Sequence, residues 1–218
     1  MRRALLPASL VLLAGCQQPG PAVARPYAAA EEGLTLVYIN PSLPQEQQAA
    51  KRLQVRVDKV VARPDGATVV FKTFTVGLEK PFQALFVLKD GGVGLLSPDG
   101  KNEAVMLPKG FPETDAWTSG PSSFRVLGRG SWGRGAAVLP EDRAMDGSWV
   151  EARAEGAKPV RSLYLPGLGE VETDELQPDG RWVTVNLLTQ FGFTDMPSAA
   201  PMAPAEAPAH KRSAKRKR

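Results

Sequence analysis

From Leu34 onward, short apolar runs alternate with turn residues at intervals of about 8–12 positions, a spacing that predicts a sandwich or barrel of short strands. Leu34 to Ile39 predicts the first strand, ended by Asn40-Pro41. Ser42 to Lys51 places Pro44 near a helix start with good helix formers behind it, which fits one short helix or a loop. Leu53, Val55 and Val57 then alternate with Gln54, Arg56 and Asp58, the period of a half-buried strand. Pro64-Asp65-Gly66 follows as a turn, with Pro presetting φ and Gly supplying a left-handed residue. The same device recurs at Pro98-Asp99-Gly100 and Pro178-Asp179-Gly180, each between apolar runs, which predicts antiparallel hairpins and not βαβ units.

Ala67 to Val76 predicts the return strand of the first such hairpin. Phe82 to Leu88 is apolar on both faces and predicts a central strand. Val93 to Leu96, Ala104 to Leu107, Phe124 to Leu127, Ala136 to Leu139, Ser148 to Ala152, Val160 to Leu165, Leu168 to Glu175 and Arg181 to Leu188 complete the set. No stretch between them sustains a helical period. The expected fold is all-β: an antiparallel, strongly curved sheet or incomplete β-barrel with at most one short helix.

The pattern outside this region is different. Met1-Arg2-Arg3 is charged, Ala4 to Leu13 is apolar, and Leu13-Ala14-Gly15-Cys16 closes the run on small residues and a cysteine. This looks like a bacterial lipobox, which implies diacylglycerol and fatty acids such as palmitate on Cys16, the first residue of the mature chain. The apolar stretch of about 12 residues is short of the ~20 that a spanning helix needs. The organisation expected is a signal peptide over 1–15, a flexible Pro/Ala/Gln tether over 16–32, one β-domain over 33–195 and a disordered Ala/Pro-rich tail over 196–218. Gln17, in place of an Asp, resembles the outer-membrane sorting signal of a two-membrane cell. The expected address is the cell envelope, lipid-anchored, on the outer membrane facing the periplasm.

Residue counts narrow the chemistry. Cys16 is the single cysteine and His210 the single histidine of the 218 residues. No Ser-His-Asp or Cys-His group and no histidine-bearing zinc site can be assembled in the β-domain. Charge is divided unevenly. The tail carries Lys211, Arg212, Lys215, Arg216, Lys217 and Arg218 against Glu206, while Cys16 to Met196 holds 19 basic and 22 acidic residues. Such a tail suits an anionic surface of the envelope, phospholipid or polymer. For an exported protein, nucleic acid is not an expected partner.

Three runs are candidates for chemistry. Gly128-Arg129-Gly130-Ser131-Trp132-Gly133 matches G-x-G-x-x-G, but no helix pattern follows to receive a phosphate, so a glycine-rich hairpin is expected. Glu170, Glu172 and Asp174 share one face of a strand and suit either a cation site, an acid/base pair or a charged strand edge. Tyr164-Leu165-Pro166-Gly167-Leu168-Gly169 is the most distinctive: Pro166-Gly167 fits the centre of a type II turn and Gly169 allows a bulge.

Val138-Leu139-Pro140, Trp149 to Arg153 and Leu163 to Val171 occur in an order that resembles uncharacterised bacterial envelope lipoproteins. In those, a late hairpin carries an aromatic-x-Pro-Gly-aliphatic-Gly motif, matched here by Tyr164, Pro166, Gly167 and Gly169. Glu170 stands where such motifs more often continue with an apolar residue. The resemblance implies an incomplete barrel similar in outline to the LolA/LolB lipoprotein carriers, with no cofactor and no established chemistry.

The function expected is therefore non-enzymatic: a lipid-anchored binding or scaffold module. The alternative is a carrier of a lipid or other apolar ligand, with Phe71, Phe74, Phe82, Phe86 and the four tryptophans lining a half-barrel cavity. An open concave face would favour the carrier, a packed interior the scaffold. A hydrolase built on carboxylates alone would need two acids flanking a cleft at ~5–10 Å, and the sequence sets up no such pair.

Overall fold

The computed structural model describes residues 25–97, 100–133 and 144–193. Cys16, Pro98-Asp99, the Ala136 to Leu139 run and the basic tail lie outside the described residues. Twelve strands form one antiparallel sheet: β1 (Thr35–Ile39), β2 (Leu53–Ala62), β3 (Thr68–Val76), β4 (Phe82–Lys89), β5 (Gly92–Leu96), β6 (Glu103–Leu107), β7 (Ala116–Ser119), β8 (Ser122–Trp132), β9 (Met145–Ala154), β10 (Val160–Leu165), β11 (Gly169–Leu176) and β12 (Trp182–Gly192). A six-residue helix, α1 (Gln45–Ala50), joins β1 to β2 and buries none of its side chains. All-β antiparallel architecture is thus what the strand periodicity predicted.

Except for β6 and β7, each strand pairs with its sequence neighbours, and β1 also pairs with β12. This last pairing bends the meander into a nearly closed barrel. Its one seam is between β6 and β7, which touch without hydrogen-bonded pairing. Two Pro-Asp-Gly turns are built as the sequence suggests. The Gly66 amide donates to the Arg63 carbonyl at 3.1 Å and the Gly180 amide to the Gln177 carbonyl at 2.9 Å.

The interior is filled by inward side chains such as Leu36, Val57, Val70, Leu163, Val171 and Leu188, all nearly inaccessible. β4 corrects one expectation: it lies third from the seam edge and is not central. Its two apolar faces have separate partners. Phe86 and Leu88 join the interior cluster, while Val87 packs with Ala67 and Val69 in a small second cluster. β7 was not foreseen; at four residues, with Trp117 its one large apolar side chain, it is too short to show a period.

Residues 25–32, which composition assigns to the tether, are part of the folded body. Ala28 and Ala29 are buried in the core and Tyr27 packs against it. This strap is held by the hairpin motif: the Gly167 amide donates to the Pro26 carbonyl at 2.7 Å. Gly169 has φ +85°, and a Cβ there would stand 3.3 Å from the Ala28 Cα, so the glycine serves both a left-handed backbone and a close approach. From the other side, Phe111 in the β6–β7 connection turns into the core across the seam. Its ring meets Tyr27 edge-on at 4.7 Å and Tyr164 at 6.1 Å.

Candidate binding cavity

Beneath the strap, the packed interior leaves a cavity of about 160 Å3. Its apolar wall comes from Leu53 and Val55 on β2, Phe74 on β3, Phe86 on β4, Val93 on β5 and Leu107 on β6. Tyr27 and Ala28 of the strap and Leu168 of the hairpin turn complete its apolar lining. The polar groups on the wall are Tyr38, Lys72, Tyr164, Glu170 and Asn186.

Lys72 is the unusual member. On β3 it alternates inward with Val70 and Phe74 and is 7% exposed. Its ammonium lies 4.6 Å from the Phe86 ring centroid, a cation–π contact. Among the described residues no carboxylate lies within ion-pair distance of it. Burial pushes its pKa down to about 8.

The polar groups of β1, β10 and β11 are coupled to one another. The Tyr38 hydroxyl donates to the Glu170 backbone carbonyl at 2.8 Å. The Glu170 carboxylate accepts from the Tyr164 hydroxyl at 3.3 Å and the Thr173 hydroxyl at 2.7 Å. Burial, and then the charge of Glu170, raises the pKa of both tyrosines well above the usual phenol value. Both are therefore neutral donors at any physiological pH.

The carboxylate row of β11 is broken up. A register shift between Leu163 and Tyr164 leaves Val171 as an extra residue and separates Glu170 from its neighbours. Glu170 faces the cavity, whereas Asp174 is buried against Arg161 at 2.9 Å. That guanidinium stacks between Trp149 and Trp182, at 5.1 and 4.8 Å. The Glu172 carboxyl is pushed up by burial and then by Asp174. No group of three metal-ligating side chains occurs among the described residues.

Of the eight aromatics expected to line a cavity, only Phe74 and Phe86 do. Phe71 belongs to the second cluster, and Phe82 is largely exposed and stacks on Phe74 at 5.1 Å. Trp132 is buried in the core, Trp117 stacks on Phe124, and Trp149 and Trp182 flank Arg161. The glycine-rich run lies within β8 and just past it, and Gly130 gives room to the Trp149 indole. Lys72 and Tyr38 were missed by sequence reasoning, although a lysine between Val70 and Phe74 at period two was a visible signal.

A wider, shallower depression of about 400 Å3 lies at Ser123, Phe124, Arg125, Glu151 and Arg153. There Arg125 and Arg153 already neutralise the Glu151 carboxylate, and the arginines are mostly exposed.

No protein-family model matches the chain, and no curated protein matches it. Among solved structures, a proposed lipoprotein from Parabacteroides distasonis ATCC 8503 superposes with a TM-score of 0.50 at 11% identity, covering 78% of this chain and all of that one. A proposed exported protein with a YmcC-like fold from Bacteroides fragilis NCTC 9343 gives a TM-score of 0.48 at 13% identity, with the same coverage. The first likeness establishes a shared fold.

Proposed function

We propose that this chain is a lipid-anchored protein of the cell envelope that acts by binding, with the cavity beneath the strap as its ligand site. One observation carries the reading: the barrel interior keeps a cavity of about 160 Å3 with five polar groups on an apolar wall. A cavity of this size takes a body of about benzene dimensions. That favours a small-ligand binding module over a carrier that encloses a whole lipid. The lipobox-like Leu13-Ala14-Gly15-Cys16 supports the anchor, and the confinement of histidine and cysteine to His210 and Cys16 supports a role without nucleophilic catalysis in the barrel. The outer membrane, facing the periplasm, is the address that Gln17 favours.

Two measurements test it. Radiolabelled palmitate should appear on the wild-type chain and not on Cys16→Ser; absence from both removes the anchor. Native mass spectrometry of protein from its own envelope should release one small molecule, and an empty barrel with no affinity for any small apolar probe removes the site.

A further inference from the structure

We infer that the cavity recognises a small amphipathic monocarboxylate, its apolar body against Phe74, Phe86, Val55 and Leu107 and its carboxylate paired with Lys72. The inference rests on the binding reading above and names the ligand's chemistry. A lysine held 7% exposed among apolar side chains is costly unless an opposite charge meets it. The cation–π contact with Phe86 offsets part of that cost but uses only one side of the ammonium. Lys72 is one of the cavity's lining residues, and its remaining donors are assigned to a guest there.

The other charged group on the wall does not do this work. Glu170 is not within ion-pair distance of Lys72, and its oxygens accept from Tyr164 and Thr173. The two tyrosines are held in their neutral form. Of the two charged groups on the wall, Glu170 already accepts two hydrogen bonds. Lys72 has no ion-pair or hydrogen-bond partner among the described residues, so it is the charge left for a guest to pair. A guest with one negative charge and a compact apolar body complements it; a dianionic phosphate monoester brings a second charge for which the wall holds no cation. Asn186, on the same wall, has an amide able to donate to a carboxylate oxygen.

The test uses the full chain carrying Cys16→Ser, which keeps every residue of the barrel. Affinities for benzoate and hexanoate are measured by calorimetry beside their neutral amides, benzamide and hexanamide. The expected result is at least tenfold tighter binding of the carboxylates, falling to parity in Lys72→Met, a change of similar length without charge. A second readout needs no variant. The 13Cε shift of Lys72 reports its titration, in the presence of Tyr38, Tyr164 and Glu170 as the facing titratable groups, and saturating benzoate should move the midpoint upward by about one unit for tenfold preference. Equal affinity for acid and amide, or an unmoved midpoint, overturns the charge recognition while leaving the binding site. Failure of all four probes to bind overturns both.

Discussion

The Tyr38 hydroxyl on β1 donates a 2.8 Å hydrogen bond to the Glu170 carbonyl on β11, although β12 lies between those strands. The bond is possible because β11 pairs with β12 only from Glu172 onward, which leaves the Glu170 carbonyl outside that ladder. Tyr38→Phe should cost about 1–3 kcal/mol, since a buried carbonyl loses its partner. Tyr164→Phe should cost less, its bond to Glu170 being longer at 3.3 Å. Urea unfolding at constant m checks the order; a larger loss from Tyr164→Phe contradicts it.

Stability should rise as pH increases from about 8 toward 10. Lys72 has a folded pKa of about 8 against 10.5 unfolded, so the unfolded chain binds more protons across that window. The full effect is about 3 kcal/mol at this burial. Above about 10 the trend should reverse, because Tyr38 and Tyr164 stay protonated in the fold and ionise once unfolded. Lys72→Met should remove the rising arm and be more stable than wild type at pH 7, a gain that accompanies loss of carboxylate binding. Urea midpoints from pH 7 to 11 on both proteins decide this.

Gly66 and Gly169 share a left-handed backbone, with φ of +79° and +85°, but differ in surroundings. A Cβ on Gly66 meets nothing within 4 Å, while one on Gly169 meets strap atoms of Ala28, Tyr27 and Ala29 between 3.3 and 3.6 Å. Gly66→Ala should cost about 1–2 kcal/mol in backbone strain alone. Gly169→Ala should cost more, and amide exchange at Ala28 and Ala29 should accelerate only in that variant. Equal losses with unchanged exchange would mean that the strap does not depend on Gly169.

The tail offers an independent prediction. Lys211, Arg212, Lys215, Arg216, Lys217 and Arg218 carry six positive charges, each worth about 1 kcal/mol near an anionic bilayer. Deleting residues 210–218 should weaken binding of the unlipidated chain to anionic vesicles and flatten its salt dependence. Unchanged affinity would leave the tail without a contact role.

Local features were legible and long-range ones were not. The turns at Pro64-Asp65-Gly66 and Pro178-Asp179-Gly180 depend on four adjacent residues, and a period of two is visible within one strand. The bulge at Val171 depends on what β10 presents opposite, which no stretch of β11 encodes alone, so the row of Glu170, Glu172 and Asp174 read as intact. Ala28 and Ala29 read as linker because small residues carry no amphipathic signal, yet small size is what lets the strap lie against Gly169. Lys72 is only partly legible. Its alternation with Val70 and Phe74 is in the sequence, but lysines normally face water, and it is the packing of Val70 and the partly buried Phe74 on the core that places this one inside.

Because β1 pairs with β12 while the seam falls between β6 and β7, the first and last strands meet in mid-sheet and the two middle strands form its edges. Ten of the eleven pairings are local hairpins, and one, closing Thr35 on Gly192, spans nearly the whole domain. Loop-closure entropy is charged to that single event, so two six-stranded meanders can form early and join late. A circular permutant opened in the β6–β7 connection and joined across β12 and the strap would turn the distant pairing into a hairpin. It should lower the contact order and fold faster than the natural connectivity, with the barrel intact.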